Sequence, residues 1–109
     1  MTPEPETRVR GARVGPNWLN AFSAWVEERK RYPEAAALLG QQGSSRVEVL
    51  AAPDGQVRAV RLTRSSGSPW LDAALINMFR GARLPSFPPG SDPGGITINF
   101  TMHYILTAD

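Results

Sequence analysis

The chain has 109 residues, 41% apolar and 20% charged, with a formal charge of +2, which suits one globular domain with a modest core and leaves no room for a second. The absence of cysteine excludes disulfides, thiolate metal sites and cysteine chemistry, and a single histidine cannot make a transition-metal site. The isoelectric point near 9.7 would admit a nucleic-acid binder, but the arginines are scattered from Arg8 to Arg83 and not clustered into the footprint that such binding needs.

No apolar run is long enough to span a bilayer, and residues 1–15 do not read as a signal peptide. Residues 1–15 begin with Met1–Thr7 (MTPEPET), where proline alternates with acid. This reads as an unstructured remnant of a solvated, proline-rich linker cut from something longer. Asn17 to Arg31 carries Trp18, Phe22, Trp25, Val26 and the stem of Arg29 at helical spacing, with start signals in Gly15-Pro16-Asn17. Tyr32-Pro33 breaks this helix, because a residue before proline is pushed out of the α region. A short alanine-rich helix follows from Glu34 to about Leu39, closed by Gly40 or Gly43.

The period then changes to two. Ser45, Val47, Val49 and Ala51 alternate with Arg46, Glu48 and Leu50, the pattern of a half-buried strand. Pro53-Asp54-Gly55 is a tight turn. Val57, Val60 and Leu62 form the return strand, their uneven spacing predicting a bulge. Ser65-Ser66-Gly67-Ser68-Pro69 leads into a helix with Ser68 as N-cap, Pro69 at its first position and Asp72 in its first turn. Its buried stripe reads Leu71, Leu75, Met78 and Ala82, flanked by Ala74. The proline- and glycine-rich stretch 84–95 is an irregular connection, and Ile96, Ile98, Phe100, Met102 and Tyr104 alternate with Thr97, Asn99, Thr101 and His103 in a final strand. The expected fold is α+β: a three-stranded antiparallel sheet, made of the hairpin plus the C-terminal strand. Helices pack on the face that bears Val47, Val49, Val60, Leu62, Ile98 and Phe100, with an extra N-terminal helix.

Ser65, Ser66, Asp72 and His103 invite a serine-hydrolase reading, but the Gly-x-Ser-x-Gly elbow is missing and a serine-rich loop before a helix serves as a cap. The chain is therefore read as no enzyme, with no catalytic residues, metal or cofactor. Arg46, Arg58, Arg61 and Arg64 read as a solvated sheet face beside Glu48, against the sharper reading of a basic patch for an acidic partner segment or an anionic polymer.

The ordered set Tyr32-Pro33, Ala35–Ala37, Gly43, Val47, Val49, Asp54-Gly55, Val57, Val60, Ser65-Ser66-Gly67, Leu71-Asp72-Ala73-Ala74, Leu84-Pro85-Ser86-Phe87-Pro88-Pro89 and Ile96–Tyr104 resembles the C-terminal domain of the TonB family of energy transducers. On that resemblance residues 16–109 form the domain. Ser45, Val49 and Ala51 stand where the family has larger apolar residues, which implies a thinner hairpin core.

The resemblance implies a periplasmic module, anchored to the inner membrane in the full-length protein through a missing N-terminal segment. It implies coupling to an ExbB/ExbD-type proton-driven motor and capture of the TonB box of outer-membrane receptors that take up cargo such as siderophores or haem. Capture would occur by β-strand addition to the last strand, Ile96, Thr97, Ile98, Asn99, Phe100, Thr101, Met102, His103 and Tyr104, with Tyr32 and Pro33 as accessory contacts. No nucleic acid is a partner, and the isolated domain is expected to be a monomer. The alternative weighed is a TolA-like cell-envelope interaction domain, against which the Tyr-Pro and Asp-Gly pattern counts.

Overall fold

A computed structural model describes residues 2–106. Met1 and residues 107–109, which the division above includes, lie outside the described residues. The elements in chain order are β1 (Thr2–Arg10), α1 (Pro16–Arg29), α2 (Glu34–Leu38), β2 (Gly43–Ala51), β3 (Val57–Arg64), α3 (Pro69–Phe79) and β4 (Ile96–Ile105). The α+β class stands, but the sheet has four strands, all paired antiparallel in the order β1-β4-β2-β3. The correction falls on residues 2–10, which form a strand where the linker-like composition predicted none. The physical reason is tertiary: β4 has a second edge, and β1 pairs along it from Thr2↔Ile105 to Arg10↔Thr97.

The hairpin forms as its turn chemistry dictates. Gly55 takes φ +95, and a Cβ there would lie 2.1 Å from the Leu84 carbonyl oxygen, so only glycine fits. The Asp54 carboxylate accepts from the Gln56 amide at 3.0 Å. Ala51 pairs with Val57 but Leu50 pairs with Ala59, so Arg58 is the extra residue of the expected bulge. A second shift between Arg46 and Val47 leaves Thr63 extra.

The core lies between one face of this sheet and the helices. Val47, Val49 and Ala51 from β2 and Ile96, Ile98, Phe100, Met102 and Tyr104 from β4 are all buried on that face, while Val60 and Leu62 of β3 are only half-buried. The helices supply Trp18, Phe22, Trp25 and Val26 from α1, Ala36 from α2, and Leu71, Leu75 and Phe79 from α3. The aromatic rings form one continuous cluster: Phe22 stacks on Trp18 at 5.0 Å, Phe79 meets Phe100 edge-on at 5.0 Å, and Phe87 stacks on Trp18 at 4.8 Å. Such pairs add about 0.5–1.5 kcal/mol each beyond burial. Trp18 Nε1 also donates to the Pro85 carbonyl at 3.1 Å, so α1 fastens the irregular 84–95 segment over the core. The Arg29 guanidinium sits over the Trp25 ring, 4.3 Å from its centroid.

The α3 stripe differs from the expected one. Leu71, Leu75 and Phe79 are buried, whereas Met78 and Ala82 are half-buried. The helix stops at Phe79 and Gly81 takes φ +66, so the stripe follows the i+4 diagonal and the larger ring wins the core position. The N-terminus of α3 is as expected, with Ser68 Oγ accepting from the Leu71 amide at 3.3 Å. Ser45, where a thinner core was expected, is fully buried, and its hydroxyl donates to Asp72 at 2.7 Å. Asp72 also accepts from the Ser66 amide at 2.9 Å, from the Ser66 hydroxyl at 2.8 Å and from the Ser65 hydroxyl. Burial alone would push the Asp72 pKa up, but these hydrogen bonds outweigh it and hold the carboxyl below its ordinary range.

Two outcomes follow from this packing. Phe79→Ala should cost about 3–5 kcal/mol and Met78→Ala under about 2 kcal/mol, read by urea denaturation. Because the folded-state pKa of Asp72 is depressed, its contribution is present above about pH 4 and lost as pH falls through the folded value. Asp72→Asn should therefore lower stability at neutral pH by about 1–3 kcal/mol and flatten the acid limb of the stability profile.

Candidate functional site

The residues expected to recruit a partner, Ile96 to Tyr104, all lie in β4. Their alternation is as expected: Ile96, Ile98, Phe100, Met102 and Tyr104 face the core, and Thr97, Asn99, Thr101 and His103 face the side of the sheet without helices. The expectation that β4 forms an open edge does not hold in this conformation. It is an interior strand, paired to β2 on one side and to β1 on the other.

The parity of the hydrogen bonds follows from β1's two prolines. Pro3 lies opposite Tyr104 and Pro5 opposite Met102, and proline has no amide hydrogen to exchange. The pairs that exchange both backbone bonds are therefore Glu4–His103, Glu6–Thr101 and Arg8–Asn99. The amide and carbonyl groups of Asn99, Thr101 and His103 thus point to β1, and those of Ile98, Phe100 and Met102 point to β2. The same parity turns the Pro3 carbonyl away from the ladder, where Lys30 Nζ donates to it at 3.1 Å.

Side chains clasp the three strands on the open face. Ser44 Oγ of β2 lies 2.7 Å from His103 Nδ1, and His103 Nε2 lies 3.2 Å from Glu6 Oε2 of β1. Arg46 Nε donates to Thr101 Oγ1 at 2.9 Å, which explains why this threonine is buried on a face that is otherwise wet. Glu6, Arg8, Arg46, Asn99 and Thr101 line a shallow depression of about 370 Å³. Serine, histidine and a carboxylate in line have the composition of a hydrolase relay. Here, though, the hydroxyl meets Nδ1 and the carboxylate meets Nε2, the reverse of the relay's order, and β4's own amides are committed to the sheet on either side. Ser65, Ser66 and Asp72, the other expected participants, lie together in the loop before α3 and form their own network.

Tyr32 and Pro33 sit at the C-terminal end of β4. The Tyr32 ring meets Tyr104 edge-on at 5.5 Å, and its hydroxyl donates to the Gln41 carbonyl. Burial, with the charge of Asp72 and the neighbouring Tyr32 adding to it, keeps the Tyr104 phenol neutral far above its usual range. Pro33 is half-buried at the start of α2. Both accessory residues therefore belong to the same corner of the fold as the Pro3–Tyr104 end of β1. Of the expected basic patch, Arg46, Arg61 and Arg64 share the open face, with Arg61 paired to Glu48 at 3.2 Å, while Arg58 sits in the bulge.

Composition hid β1 from the sequence reading, yet a signal was there. Pro3, Pro5, Thr7 and Val9 alternate with Glu4, Glu6, Arg8 and Arg10, a period of two that keeps the charges on one face.

With this geometry in hand, the chain can be set beside known proteins. Residues 28–106 match the family model described as the C-terminal domain of the Gram-negative bacterial TonB protein. The chain is 30% identical over 85 residues to Protein TonB of Haemophilus influenzae, covering 76% of this chain and 32% of that protein. It is 30% identical over 94 residues to Protein TonB of Pseudomonas putida, covering 86% and 39% respectively. The chain thus spans about a third of the length of these relatives. Its fold matches the solution structure of the Helicobacter pylori TonB C-terminal domain with a TM-score of 0.68 at 21% identity, covering 88% of this chain and 87% of that one. It also matches the HasB C-terminal domain at 0.55 and 29% identity, covering 84% and 72%. The chain belongs to the TonB C-terminal family.

Both edges of the sheet are blunted. The outer edge of β1 lacks donors at Pro3 and Pro5, and β3 is bent by two bulges and carries Arg58, Arg61 and Arg64. Replacing both prolines (Pro3→Val with Pro5→Val) restores two outward donors and should promote edge-to-edge association, seen as a concentration-dependent rise in sedimentation coefficient absent from the parent.

Proposed function

We propose that this TonB-family domain is the receptor-binding module of an energy transducer that captures the TonB box of outer-membrane transporters by strand pairing along β4. The observation that carries the reading is the β4 edge itself. The backbone groups of Asn99, Thr101 and His103 face a strand that contributes little to the core, so an extended peptide can take that place. Main-chain pairing provides affinity without demanding one sequence, which lets a single transducer serve several receptors. Tyr32 and Pro33 flank the Tyr104 end as accessory contacts.

Family membership supports the rest of the assignment. The domain works in the periplasm, tethered to the inner membrane by a segment outside this chain, and an ExbB/ExbD-type motor acts through that segment. It couples proton-motive force to active uptake and is not an enzyme. The two blunted edges favour a monomer for the isolated domain. The match to TonB relatives favours this reading over a TolA-like envelope domain.

The test is a titration of isotope-labelled domain with peptides spanning the N-terminal segments of outer-membrane receptors from the same genome. Saturable amide shifts at Asn99, Thr101 and His103 are expected, with Glu4, Glu6 and Arg8 shifting as their strand is replaced. Shifts confined to β3, or none with any peptide, would overturn the assignment of the edge.

A further inference from the structure

β1 differs from the other strands in what holds it. β2 and β4 bury a residue at every second position; β3 buries only Val57 but packs against α3, whereas β1 buries Pro3 alone, with Thr7 and Val9 half-buried, and has no such helix over it. Its extensive packing is with β4, and none of comparable extent joins it to a helix. Beyond the ladder and the packing of Val9 on the core, three hydrogen bonds among the described residues secure it and the turn after it: Lys30 to the Pro3 carbonyl, His103 to Glu6, and the Asp92 amide to the Gly11 carbonyl at 2.7 Å. At its end the chain turns at Gly11, with φ +92 and a Cβ position 2.9 Å from the Gly95 carbonyl oxygen, and runs without regular structure to α1. The part of the chain that matches the family model begins at residue 28, so β1 lies outside it.

We propose that β1 is an internal occupant of the partner edge, holding β4 in the free domain and leaving it before an external strand pairs. The inference rests on the reading of β4 as the docking edge. A strand with few buried apolar contacts opens at a small fraction of the global unfolding free energy. The fraction of time it is open then scales the apparent affinity for a partner: opening 1% of the time weakens it about 100-fold. Between captures the occupant keeps an apolar-backed edge from pairing with other chains.

The register also describes the strand that fits. A segment that inherits β1's place meets Tyr104, Met102, Phe100 and Ile98 with alternate side chains, where β1 offers Pro3, Pro5, Thr7 and Val9. Its other face meets His103, which Glu6 now satisfies. The partner is therefore an extended peptide with small apolar residues at every second position and an acid within reach of His103.

Two measurements on the full chain test the proposal. In amide hydrogen exchange, Asn99, Thr101 and His103 should exchange on the order of 100-fold faster than Ile98, Phe100 and Met102, because only the first set is freed when β1 leaves. Equal protection of the two sets would overturn it.

The second uses a lock. The chain has no cysteine, and Arg8 and Asn99 face each other as an exchanging pair, where Cα separations of about 5.5 Å suit a disulfide. In the double variant Arg8→Cys with Asn99→Cys, the oxidised form should bind the receptor peptide at least about 30-fold more weakly than the same protein reduced. Equal binding by both forms would overturn the proposal. If no receptor peptide binds either form, the docking assignment falls, and the exchange pattern still decides whether β1 is a removable strand.

Discussion

The constraint on which this domain depends is that β4 has hydrogen-bonding groups on both sides and an apolar row beneath. Its core side chains, Ile96 to Tyr104 at every second position, fix it at the middle of the helix-covered face. β2 satisfies the backbone on one side through nine paired positions. The groups on the other side, at Asn99, Thr101 and His103, cannot be left bare beside a dry core without cost. An extended segment in that place removes the cost, and in this chain Thr2–Arg10 fills it. The function proposed here is an exchange of one such segment for another, with β1 as the strand proposed to leave.

The aromatic layer is built without β1, so the proposed exchange would leave it in place. Phe22, Phe79, Phe87 and Phe100, with Trp18 and Trp25, pack as one cluster between α1, α3, the 84–95 segment and β4. β1 contributes no ring to it. Its departure would uncover the half-buried Val9 and Thr7 and the rim of β4, and leave the stacked core in place. Trp25 Nε1 is buried without a hydrogen-bond partner among the described residues. α1, whose contacts were not legible in the sequence, is the element that ties the irregular 84–95 segment to this core through Trp18.

Most of the fold could be read from local rules. The period-two runs of β2, β3 and β4, the Asp54-Gly55 turn, the bulge after Val57 and the Ser68-Pro69 start of α3 depend on neighbours in sequence, and each stands where it was expected. What escaped depends on distant partners. β1 was missed because proline and acid suit a solvated linker, and only a vacant β4 edge makes the same residues a strand. The choice of Phe79 over Met78 for the core follows from where α3 ends against Phe22 and Phe100, which helical spacing alone does not decide. β4 was legible as a strand with its two faces, and its pairing with β1 was not.

Whether an external strand pairs with β4 in the place of β1 is read from isotope-filtered nuclear Overhauser contacts in the peptide-bound domain. Backbone contacts from the bound peptide to Asn99, Thr101 and His103 are expected, with the contacts of Glu4, Glu6 and Arg8 to those residues lost. Peptide contacts along the outer edge of Val57–Arg64, with β1 still paired to β4, would contradict it.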